Sequence, residues 1–188
     1  MAWTTLGTVA PGDVLRANSG TAAYNNVIGN LTVLRGDYMQ AKRTAGDLTL
    51  NSNLAWANVQ TGLDLTLAAS AGDVIEYSIN GLAISAAVEL YFDVVTVVSG
   101  NPVNSFARDT TPANPSTSFG LIGWLCPASV ISPISGSVFR TLVSGDISGD
   151  NVLLRLRYAS SAATNRVINA TSASPMHVWA RNHGPVEV

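Results

Sequence analysis

Asp73-Val74-Ile75-Glu76-Tyr77-Ser78-Ile79 and Val88-Glu89-Leu90-Tyr91-Phe92-Asp93-Val94-Val95-Thr96-Val97-Val98 decide the fold class of this chain. Both runs are dense in β-branched and aromatic residues, which pack well on a pleated surface. In the first, Ile75, Tyr77 and Ile79 share one face while Val74, Glu76 and Ser78 share the other. In the second, Leu90, Phe92 and Val94 oppose Glu89, Tyr91 and Asp93, the period of two that marks a strand. The interval Asn80-Gly81-Leu82-Ala83-Ile84-Ser85-Ala86 is too long for a two-residue hairpin, so the two strands are expected in different sheets. That favours a sandwich over a meander.

Outward from this pair, short strands recur between turn signals. They are read near Leu48–Leu50, Leu54–Gln60, Leu63–Ala68, Phe119–Leu125, Ser137–Val143, Val152–Tyr158, Asn165–Asn169 and Met176–Arg181. Gly72-Asp73, Gly100-Asn101-Pro102, Ser144-Gly145-Asp146 and Gly149-Asp150-Asn151 separate several of them as turns. In Val152–Tyr158, Leu154, Leu156 and Tyr158 point inward and Arg155 and Arg157 outward. About ten strands closing on Val178-Trp179 predict an all-β jelly-roll sandwich. Residues 47–188 are assigned to it. The Pro/Thr/Ser-rich run Arg108–Ser118 is read as an exposed loop.

The 188 residues suit one domain with an appendage. Only 12% are charged, against roughly a quarter in an average soluble domain, so much of the surface is uncharged and suited to burial against other subunits. A net charge of -2 without a Lys/Arg run argues against nucleic acid. Nothing reads as a secretion signal or membrane span, so neither export nor a membrane partner is expected. Cys126, the single cysteine, is expected as a small buried hydrophobe.

Before the strands, residues 1–46 read differently. Pro11-Gly12 breaks an extended arm, and Asn18-Ser19 can cap a short amphipathic helix carrying Tyr24, Val27, Ile28, Leu31 and Leu34 on one stripe. The helix ends near Gly36, a C-cap glycine, which also accounts for the Arg35-Gly36-Asp37 tripeptide. Asp37 to Asn53 reads as a linker. The run Thr8-Val9-Ala10-Pro11-Gly12-Asp13-Val14-Leu15-Arg16-Ala17, followed by Tyr24-Asn25-Asn26-Val27-Ile28-Gly29-Asn30-Leu31, resembles the N-terminal segment of minor structural proteins of tailed bacteriophages. Tyr24 stands where those proteins often carry Trp. The resemblance implies that residues 1–36 attach the chain to the particle, with Tyr24, Val27, Ile28, Leu31 and Leu34 as contacts, while a β-domain projects. The strand layout in turn looks like the tumour-necrosis-factor-like jelly rolls of viral head and fibre proteins, which implies a homotrimer.

Few residues suggest chemistry. Glu89 and Asp93 share a strand face as paired acids of a glycosidase would, but nothing nearby completes a site, so a solvated face or interface contact is expected. His177 and His183 are too few for a metal site within one chain, although a three-fold axis could gather one from each copy. Trp56, Trp124 and Trp179 lie in expected strands and are assigned to core packing, rather than to the sugar stacking that they and Trp3 could provide in a receptor-binding tip. Asn30-Leu31-Thr32 and Asn169-Ala170-Thr171 are incidental matches to a glycosylation pattern. No nucleophile frame or phosphate loop is present, and no cofactor is expected. The expectation is a non-enzymatic virion protein assembled in the host cytoplasm. Its first placement is as a trimeric capsid decoration (cement) protein contacting the major capsid protein or another virion protein. A tail-tip or fibre component binding host carbohydrate is the alternative.

Overall fold

The computed structural model describes residues 38–44, 48–50, 55–85, 90–106, 124–126, 131–160, 166–169 and 174–185. The arm, the helix and its stripe of Tyr24, Val27, Ile28, Leu31 and Leu34 lie outside these residues, as do Glu89 and the Arg108–Ser118 loop. Among the described residues there are twelve strands: β1 (Tyr38–Arg43), β2 (Leu48–Leu50), β3 (Ala57–Asn58), β4 (Leu65–Ala68), β5 (Asp73–Ser85), β6 (Leu90–Val98), β7 (Asn101–Ser105), β8 (Trp124–Cys126), β9 (Ile131–Thr141), β10 (Asn151–Ser160), β11 (Arg166–Asn169) and β12 (Met176–Pro185).

They form two antiparallel sheets of six strands each. Several short strands share one track, because consecutive pieces pair the same neighbour. In the first sheet β11 and β12 both pair β5, while β2 and β1 pair β11 and β12 in turn; β9 pairs β5. In the second, β3 and β4 pair β10, β10 pairs β6, and β7 and β8 pair β6. Numbered along the chain, the eight tracks run 1-8-3-6 in one sheet and 2-7-4-5 in the other. That order is a jelly roll, two interleaved Greek keys. As expected, β5 and β6 belong to different sheets.

The core lies between the sheets. Ile75, Tyr77 and Ile79 of β5 and Met176, Val178 and Ala180 of β12 face Leu65 and Leu67 of β4, Leu90, Phe92 and Val94 of β6, and Val152, Leu154, Leu156 and Tyr158 of β10, all buried. Phe106 meets the Tyr77 ring edge-on at 6.3 Å. The alternating residues of the quoted stretch therefore carry the core as their spacing predicts.

Several readings are corrected. Tyr38–Arg43 is a strand of the first sheet, not linker: its six residues pair Met176 to Arg181 of β12 one for one. Asn80 to Ser85 continues β5 rather than looping, because the second half of β5 finds β11 and β9 as partners. Asn101-Pro102 opens β7 instead of a turn. The turn is Ser99-Gly100, both with positive φ (51° and 81°), joining Val98 to its partner Asn101 as a two-residue hairpin. Pro102 is tolerated because β7 borders its sheet.

Candidate functional site: the outer face of the first sheet

The strand registers place side chains on the solvent side of the first sheet in three rows. Tyr38, Arg181, Glu76 and Phe139 form one; Gln40, Trp179, Ser78 and Ser137 the next; Lys42, His177, Asn80 and Ser135 the third. Alternation accounts for this, since the residues between them, Val178, Ala180, Ile75, Tyr77 and Ile79, are buried in the core. The face is aromatic as well as polar. Phe139 is 57% exposed and Tyr38 49%, and the Tyr38 ring lies 6.0 Å from that of half-buried Trp179.

Hydrogen bonds hold this surface in place. The Nε2–H of His177 donates to Gln40 Oε1 (2.9 Å), which also accepts from the Tyr38 hydroxyl (3.3 Å). The Nε2–H of His183 donates to Glu76 Oε2 (3.0 Å), and the His183 ring lies 6.1 Å from that of Phe139. Ser78 and Ser137 join through their hydroxyls. At the end of the face bearing the third row, an open groove of about 520 Å³ is lined by Gln40, Lys42, Asn80, Gly81, Pro133, Ser174, Pro175 and His177. The two histidines thus bond to different partners, and the described residues hold no cluster of three or more metal-ligating side chains.

Two buried ionic groups behave otherwise. Asp93 is fully buried on the side of β6 away from the core, where its Oδ1 accepts from the Ser105 hydroxyl (2.7 Å) and its Oδ2 from Arg157 (3.3 Å). The Arg157 guanidinium also covers the Trp56 ring, 5.1 Å from its centroid. Burial pushes the Asp93 carboxyl up to about 6, against the opposing Ser105 hydrogen bond, the charge and hydrogen bond of Arg157, and a backbone bond from Val94. The second group lies at one end of the sandwich. Arg140 Nε and Nη2 donate to Asp146 Oδ2 (3.1 and 3.0 Å), while Thr96 Oγ1 and Asn104 Nδ2 donate to Oδ1 (2.6 and 2.7 Å). Burial opposes the Asp146 charge, yet the hydrogen bonds from Thr96, Val143 N–H and Asn104, with the charge of Arg140, hold its carboxyl below the usual range.

The sequence-derived site is corrected accordingly. Asp93 faces neither solvent nor an open cleft, and Arg157, expected outward, is buried with it. Trp179 stands on the outer face of the first sheet, and Trp56 is half-buried against Arg157, so neither belongs to the core between the sheets. The side chains of Trp124 and Cys126, like Trp3, lie outside the description. Tyr38, Gln40 and Lys42 were not singled out, although the alternation Tyr38-Met39-Gln40-Ala41-Lys42 carries the period of a strand.

The fold defines the chain as a jelly-roll β-sandwich domain with one aromatic, polar sheet face. No family profile matches the sequence, and no curated protein is similar to it. Among solved structures, the chain is similar to a mutant VP2 protein of infectious bursal disease virus in derived T=1 particles, with TM-score 0.42, 7% identity, and 80% of this chain and 36% of that chain covered. A second set of infectious bursal virus derived T=1 particles gives 0.41 at 8% identity, covering 81% and 37%. The T13 particle of the same virus gives 0.40 at 9% identity, covering 81% and 36%. The chain thus spans little more than a third of the length of these capsid proteins.

Proposed function

We propose that this chain is a non-enzymatic structural protein of a tailed-phage virion, a homotrimer that decorates the head and holds the major capsid protein through residues 1–36. One conjunction carries the reading: an eight-track jelly roll is preceded by the segment that resembles phage attachment arms, on a chain with only 12% charged residues. Tyr24, Val27, Ile28, Leu31 and Leu34 are the contacts proposed for that segment. A glycosidase role is disfavoured by the position of Asp93, which is buried with its two oxygens bonded to Ser105 and Arg157. A cement protein adds buried area between capsid subunits where the shell is strained, stabilising the assembled state by mass action.

The test is to delete residues 1–36 and offer the product to heads lacking this protein. A folded trimer that no longer joins particles is the expected result; incorporation at normal occupancy would sink the attachment role. A second reading, a tail-tip or fibre component that binds host carbohydrate, is favoured by the exposed Tyr38, Trp179 and Phe139 on one polar sheet face. Density located on the particle by electron microscopy separates the two, since decoration requires copies at symmetry positions of the head. In either case assembly in the host cytoplasm and residence in the virion follow. No described helix is long and apolar enough to cross a membrane.

A further inference from the structure

We propose that the groove on the outer face of the first sheet is a binding site for an acidic saccharide. Lys42 of β1, His177 of β12 and Asn80 of β5 are consecutive partners across three adjacent strands, and Gln40 stands one row away. Side chains borne on paired strands are held in place before a ligand arrives, which lowers the ordering cost of binding. Pro133 on β9 and Ser174-Pro175, just before β12, complete the lining.

Charge selects the ligand class. No carboxylate lines the groove among the described residues, and no described carboxylate pairs with Lys42. An ammonium in such a setting favours an anion, although the chain as a whole is net negative. A single lysine is too little for a nucleic acid backbone, which needs several phosphates neutralised at once. The other polar groups suit hydroxyls. Gln40 Oε1 is occupied by His177 and Tyr38, so its amide NH₂ is turned to donate, and the Asn80 amide offers both a donor and an acceptor. Trp179, opposite Gln40, and Tyr38 beside it supply flat apolar surfaces for the C–H face of a sugar ring. The pose places a sugar carboxylate on Lys42, hydroxyls on Gln40 and Asn80, and a neighbouring ring on Trp179. The inference rests on the second reading, a carbohydrate-binding sheet face, and names its ligand class; equal binding of neutral probes would overturn the ligand class and leave that reading standing.

The full-length chain is titrated with a hyaluronan octasaccharide and 3′-sialyllactose as acidic probes, and with lactose and cellotetraose as neutral ones. Binding of an acidic probe is expected, weakened about tenfold or more by Lys42→Gln and by Trp179→Ala while the far-ultraviolet dichroism is unchanged. Failure of both acidic probes to bind, equal binding of the neutral ones, or an affinity untouched by Lys42→Gln would overturn the proposal. So would a change of oligomeric state in Trp179→Ala, which would make this face a contact between copies.

Discussion

Arg140 and Asp93 show how differently two buried charges can act at the scale of a residue. Arg140 is 6% exposed and its partner Asp146 0%, with every Asp146 oxygen occupied. Replacing Arg140 by Met leaves a buried carboxylate without its cation, and a loss of about 3–5 kcal/mol is expected in urea unfolding. Asp93 sets a pH dependence of the opposite sense to ordinary acid denaturation. Its folded value is raised to about 6, so the folded state holds the proton more tightly than the unfolded chain, where an Asp titrates near ~3.9. The associated stability is fully present below the unfolded value and declines as pH rises through about 6. The lowered carboxyl of Asp146 works in another window, lost only as pH falls through its own folded value. Wild-type protein should therefore be less stable at about pH 7 than at about pH 5, by about 1 kcal/mol, and Asp93→Asn should flatten that slope. Alternation alone could not show this pair. It separates two faces of a strand, and it cannot tell that the face away from the core is itself covered.

Among the elements, the β6–β7 hairpin is where turn chemistry decides most. Both Ser99 and Gly100 have positive φ, the conformation of a type I′ turn, which glycine and asparagine adopt most readily. Gly100→Ala should cost about 1 kcal/mol, and Ser99→Asn should raise stability by a few tenths, both read from thermal unfolding midpoints. The signal was visible in the sequence but misplaced by one residue, because Gly100-Asn101-Pro102 holds three turn formers and Pro102 hides a border strand. Strands with clear alternation and Val/Ile/Leu density, β6, β10 and the first half of β5, were legible within a few residues, whereas the second half of β5, Asn80 to Ser85, read as loop. β1 was not: Tyr38, Gln40 and Lys42 are polar-tipped, and only pairing with β12 makes that segment a strand. The candidate site shared this fate. His177 and Trp179 could be noticed one by one, whereas the row joining His177 to Lys42 and Asn80 exists only through register.

For the whole molecule, the jelly roll was legible from the count and spacing of strands; the separation of β5 from β6 was expected correctly but from a loop length the structure does not keep, since Asn80 to Ser85 belong to β5. Which tracks lie side by side was not legible, since 1-8-3-6 and 2-7-4-5 join segments far apart in sequence. One such neighbourhood is β1 against β12, the first and last tracks. Tyr38 lies opposite Arg181, only four residues before the end of β12, so the chain enters and leaves this sheet at the same end. Tension applied between those two points would peel the pair apart one hydrogen bond after another, like a zipper, instead of shearing the bonds together. The domain is thus mechanically weak along its own backbone. A load spread across the sheet face and taken up at the N-terminal side alone would leave β12 unpulled and the sandwich closed.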